Sequence, residues 1–69
     1  MVYLLEFLVF EDGGKRVIES VTHRAKSVGD AQNYARSILK NVTIHGRRPD
    51  LCEVKDQTGR LLGVVSAPT

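Results

Sequence analysis

The 69-residue chain has one cysteine, two prolines and no tryptophan, and its only aromatics besides histidine are two tyrosines and two phenylalanines. A lone cysteine, Cys52, excludes an internal disulfide, the usual staple of small secreted domains. So few prolines, in a composition that is 42% hydrophobic and 26% charged, exclude a disordered tail and a collagen-like rod. Long apolar runs are lacking too. A bilayer span needs about 20 apolar residues, and the greasiest stretch, residues 1–10, is broken by Glu6. No Lys or Arg precedes Lys15 and no small-residue cleavage pattern follows, so a secretory signal is not read and a cytoplasmic location without membrane contact is expected. Asn41-Val42-Thr43 matches a glycosylation acceptor only by chance on that reading. The net charge of +2 is too small to name a partner.

What is present reads as a single domain over residues 1–69. Residues 2–10 are rich in Val, Leu, Phe and Tyr, which suits a strand. Glu11-Asp12-Gly13-Gly14-Lys15 supplies hairpin-turn dipeptides, and residues 16–24 return as a second strand. Ser27 has the place of a helix N-cap, with Asp30 three residues on at the positive end of the dipole. Val28, Ala31, Ala35, Ile38, Leu39 and Val42 then recur at helical spacing, with Tyr34 at the edge of the stripe. The helix is expected over 28–41. Residues 46–50 read as a loop, 51–55 as a third strand, Asp56-Gln57-Thr58-Gly59 as a turn, and 61–65 as a fourth strand, with 66–69 fraying. The order ββαββ predicts an α+β fold: one four-stranded sheet, antiparallel or mixed, with one helix on one face.

The closing segment Glu53-Val54-Lys55-Asp56-Gln57-Thr58-Gly59-Arg60-Leu61, together with this layout, resembles a group of small bacterial proteins common in alphaproteobacteria. Those look like a hairpin, an Ala-rich helix and a final hairpin of the pattern E-V-[KR]-D-x-x-G-R. The resemblance implies the fold. It implies no activity and no site residues, because the group has no established one.

The first strand is apolar on both sides. Strand side chains alternate between faces, so Tyr3, Leu5, Phe7 and Val9 share one face and Val2, Leu4, Glu6, Leu8 and Phe10 the other. A sheet covered by one helix ordinarily alternates apolar and polar. A fourteen-residue helix, about 21 Å long, covers only one face. Below about 70–80 residues a core rarely supplies more than about 3–5 kcal/mol, so self-association also relieves a size problem. The expected partner is therefore a second copy, docked through Val2, Leu4, Leu8 and Phe10.

Chemistry is harder to find. Cys52 falls on one strand face with Val54 and reads as a small buried hydrophobe. A nucleophile needs an adjacent base, and His23 and His45 lie in no nucleophile motif. The spacings of 22 and 7 residues between His23, His45 and Cys52 match no compact zinc pattern, and His45 reads as a cation near the helix C-terminus. Glu6 needs a cation if it is buried. Gly13-Gly14 joins strand to strand and is no phosphate loop. No metal, no cofactor and no catalytic residue are expected.

Charge is uneven along the chain: net −2 over residues 1–23, +5 over 24–48 and −1 over 49–69. The basic centre supports an alternative, nucleic-acid contact through Arg36, Lys40, Arg47 and Arg48. No strand carries the interleaved aromatics that stack bases. The reading that leads is a non-catalytic, self-associating interaction or scaffold module, with nucleic-acid binding as the alternative.

Overall fold

A computed structural model of the chain describes residues 1–68. The elements run β1 (Val2–Glu11), β2 (Gly14–Arg24), α1 (Val28–Asn41), β3 (Leu51–Lys55) and β4 (Leu61–Ser66). The strands form one sheet of order β2-β1-β3-β4, and every neighbouring pair is antiparallel. The expected α+β, ββαββ architecture is what the chain adopts, and the open choice between antiparallel and mixed resolves to antiparallel. The two hairpins meet through β1 and β3, which leaves β2 and β4 as the edges.

Three local departures from the sequence reading have physical causes. The first turn is tighter than residues 11–15. Glu11 already pairs with Gly14, and Gly13, at φ 84°, takes a left-handed conformation that a side chain would oppose. Val42 is not part of the helix stripe: it is the exposed C-cap in extended conformation, its N–H donating to Ile38 O at 2.9 Å. A β-branched residue leaves a helix there at little cost. Residues 66–68 do not simply fray, since Ser66 closes β4 and Ala67 N–H donates to Asp50 O at 2.9 Å; Thr69 lies outside the described residues.

Helix α1 starts where the cap was expected, with Asp30 N–H donating to Ser27 Oγ at 3.2 Å. It lays Ala31, Ala35 and Leu39 on the sheet, where they meet Tyr3, Leu5 and Phe7 of β1, Cys52 and Val54 of β3, and Val65 of β4. This is the core, on the inner face. Small residues on the helix let it sit close: Gly63 of β4 lies beneath Val28 and Gln32, and a Cβ at Gly63 would fall 2.4 Å from Gln32 Nε2.

The helix reaches β2 less directly. The Tyr34 ring stacks on His23 of β2 with centroids 3.8 Å apart and planes 3° from parallel. The loop after the helix reaches across as well. Ile44 and Arg47 exchange backbone hydrogen bonds of 2.7 and 3.0 Å around His45 and Gly46, both at positive φ, 53° and 76°, the signature of a type I′ turn. That turn carries His45 to Glu19 of β2, Nε2 to Oε2 3.4 Å. His45 is thus a turn residue paired to a carboxylate, not a cation on the helix end.

Candidate functional site

Register defines the outer face, because directly opposed residues share a side of the sheet. From the open end of the first hairpin the rows are Arg24–Val2, then Thr22–Leu4–Lys55–Leu61, then Ser20–Glu6–Glu53–Val64, then Val17–Leu8–Leu51–Ser66, with Lys15–Phe10 at the far end. Among the described residues no helix packs on this side: α1 and the core cluster lie wholly on the other.

The four residues expected here behave differently. Phe10 is 57% exposed. Val2 and Leu4 are partly buried, and together with Thr22 they border a shallow depression of about 430 Å³ closed on its other side by the turn Asp56–Gly59. Leu8 is 4% exposed, which corrects its expected place as a free contact residue. It lies between Val17 and Leu51 in its row, beside a β-bulge at Phe7/Leu8 that admits Ile18 as an extra residue. A bulge increases local twist.

The middle of the face is charged. Glu6 and Glu53 sit side by side on β1 and β3, a repulsive pair if left alone. Lys55 bonds the Glu6 carboxylate and lies 3.8 Å from Glu53 Oε1, while Lys15 Nζ reaches Glu53 Oε2 at 3.1 Å. Glu6 raises the Lys55 ammonium above its ordinary range, with desolvation opposing. Two acids and two bases thus form a neutral belt bordered by exposed apolar side chains: Phe10, Val17 at 43%, Val64 at 48% and Leu61 at 50%. Sequence reasoning placed Glu6 on this face, but Val17, Val64 and the two lysines join it only through cross-strand register, which β-branched composition and parity do not supply.

The cationic candidates separate. Arg36 and Lys40 are exposed one helical turn apart, Arg36 Nη1 donating to Asn33 Oδ1 at 2.7 Å. Arg47 instead bonds Glu11, Nη1 to Oε1 2.6 Å, and also donates to Phe10 O. Arg48 Nη2 donates to Lys40 O at 2.8 Å and to Leu39 O at 3.5 Å, closing helix-terminal carbonyls that otherwise lack partners. Arg16 makes a forked pair to the same Glu11, at 2.8 and 2.9 Å, and with Arg47 it holds that carboxyl down at about 2.

Cys52 is fully buried in the core. Burial first, then the charges of Glu53 and Glu6, push its thiol up to about 12, the opposite of a reactive thiolate. His23 and His45 are engaged with Tyr34 and Glu19, and the three do not converge; among the described residues no three His, Cys, Asp or Glu side chains gather at metal-ligand range. The Asp56 carboxylate, at the rim of the depression, is occupied in its own turn: it accepts from Thr58 N at 2.8 Å, Thr58 Oγ1 at 2.6 Å and Arg60 N at 3.0 Å. Those bonds, Thr58 first, lower its pKa. No helix among the described residues is long and apolar enough to cross a membrane.

Comparison with protein-family models, with curated proteins and with solved structures returns no match.

Proposed function

We propose that the chain is a non-catalytic, self-associating module of the cytoplasm, a homodimer in its simplest form, that serves as a scaffold or partner-binding subunit through the outer face of its sheet. One observation carries this reading: Phe10, Val17, Val64 and Leu61 stand exposed around a belt of two acids and two bases on the face opposite the helix. A two-fold contact must be complementary to itself. A neutral belt of both signs bordered by apolar groups meets that condition, whereas a face of one charge sign does not. A binding rather than a catalytic role is supported by the engagement of the candidate nucleophile and bases, Cys52 in the core, His23 on Tyr34 and His45 with Glu19.

Sedimentation equilibrium over micromolar concentrations tests the reading. The wild type is expected above monomer mass, and Phe10→Lys/Val17→Lys, two changes at exposed positions, lowers the mass while circular dichroism stays the same. A wild type that sediments as monomer, or a double variant with unchanged mass, refutes it. The alternative is nucleic-acid contact by Arg36 and Lys40, exposed on one helix face. Oligonucleotide binding at low salt that falls steeply as salt rises, and that is lost in Arg36→Ala/Lys40→Ala, would put it first.

A further inference from the structure

The two edges of the sheet are unlike. β2 carries Lys15, Arg16, Glu19 and Arg24 and is bulged at Ile18, devices that discourage pairing with a further strand. β4, Leu61–Ser66, has no charged residue, pairs only with β3 among the described residues, and exposes Leu61 and Val64; its own bulge, at Leu62, lies before the regular span Gly63–Ser66.

The free backbone groups of that edge can be assigned. Ala67 N–H donates to Asp50 O at 2.9 Å, in register with the Leu51/Ser66 and Glu53/Val64 pairs. Peptide groups of an antiparallel ladder point alternately toward and away from the neighbour. The N–H and C=O of Val65 and Ala67 therefore face β3, and those of Val64 and Ser66 face outward.

We propose that the β4 edge is a second self-association site, at which β4 of one copy pairs antiparallel with β4 of another about a two-fold axis at Val65. This goes beyond the outer-face contact, which stacks sheets rather than extending them. In this register Val64 pairs with Ser66 of the partner subunit, and Ser66 with Val64 of the partner subunit, so four hydrogen bonds satisfy the four outward N–H and C=O groups of each copy. Gly63 falls opposite the small Ala67 of the partner subunit. Arg60 lies beyond the paired span, so no like charges meet, and Pro68, which has no N–H, ends the pairing on the other side. A foreign extended peptide presents the same backbone groups; what favours a second copy is the self-match of this edge, which carries no charge from Leu61 to Ser66 and sets Gly63 against the partner subunit's Ala67.

Proline at an outward N–H removes an edge donor without breaking the ladder to β3. Light scattering on Ser66→Pro and on Val64→Pro is expected to give half the wild-type mass, with secondary structure retained. A mass equal to wild type in both overturns the edge site. The outer-face reading is separable: if Phe10→Lys/Val17→Lys leaves the mass unchanged while Ser66→Pro halves it, the edge stands and the face fails, and the converse overturns the edge. Should a proline variant fail to fold, amide exchange on the wild type decides. Slowing of the Val64 and Ser66 amides as concentration rises supports the pairing, and exchange at free-peptide rates at every concentration sinks it.

Discussion

Phe10 and Leu8 lie on the same face of the same strand, yet truncating them should damage different equilibria. A covered phenylalanine buries about 200 Å², so the 57% of Phe10 that is exposed amounts to about 110 Å². At about 25 cal/mol per Å² covering it gives about 3 kcal/mol per copy, of which Phe10→Ala removes about 2. A two-fold contact uses the residue twice, so the loss is about 4 kcal/mol, and at about 1.4 kcal/mol per tenfold the dimer dissociation constant rises about a thousandfold. Imperfect packing and ordering costs reduce this, so a hundredfold is the least we expect. The fold should survive, since the Phe10 N–H still donates to Asp50 Oδ2 at 2.7 Å.

Leu8 is 4% exposed, and Leu8→Ala should cost about 2–4 kcal/mol of folding stability in a domain of this size with about 3–5 to lose. Sedimentation equilibrium gives the first quantity, and urea unfolding at fixed concentration the second. The reasoning is refuted if Phe10→Ala changes the dissociation constant less than a hundredfold, or if Leu8→Ala unfolds at the wild-type midpoint.

Three further outcomes follow from local chemistry. The Glu11 carboxyl is held at about 2 against an ordinary 4.5 by Arg16 and Arg47, so its contribution to stability is complete above about pH 4.5 and is lost as pH falls through about 2. Glu11→Gln should flatten the acid limb of a melting-temperature profile, and an unaltered limb would contradict the pairing. The Cys52 thiol, buried and pushed up to about 12, should resist iodoacetamide at pH 8 in the native protein and react at once in guanidinium; ready native labelling would place it elsewhere. Arg48→Ala frees the Lys40 and Leu39 carbonyls and should cost about 1 kcal/mol in thermal unfolding; an unchanged midpoint would show that these bonds add nothing to stability.

Much of the fold was legible because its signals are local. Ser27, Asp30 and the Ala31/Ala35/Leu39 spacing fix the helix at 28–41, and alternation in Leu51–Lys55 fixes β3 and the inward direction of Cys52 and Val54. What stayed hidden depends on pairing across the sheet. The order β2-β1-β3-β4 sets Glu6 beside Glu53, and nothing along the chain announces that contact. Leu8, beside the bulge at Phe7/Leu8, is buried, although strand parity leaves it as free as Phe10. His45 was misread because a type I′ turn with a non-glycine at φ 53° is an uncommon choice, one that its contact with Glu19 helps to explain.

The charged belt also bears on how two copies would meet. An all-apolar sheet face can slide over its partner, since burial is nearly proportional to area and indifferent to register. Glu6, Glu53, Lys15 and Lys55 make the face selective. Side chains of Glu53 and Lys55 are already mostly covered within one chain, at 15% and 25% exposure, so a stacked partner removes most of their remaining water. Any alignment that parts Lys55 from Glu6 then leaves a desolvated charge without a partner, at a cost of several kcal/mol, while an alignment that sets each lysine against a carboxylate of the other copy keeps every charge paired. The apolar border supplies the attraction and the belt selects the geometry. Lys55→Met should therefore weaken register more than adhesion: Glu6 loses its cation beside Glu53, which Lys15 still pairs, and a discrete dimer gives way to a concentration-dependent series of larger species in sedimentation velocity. A single sharp dimer boundary in that variant would show that the belt selects nothing.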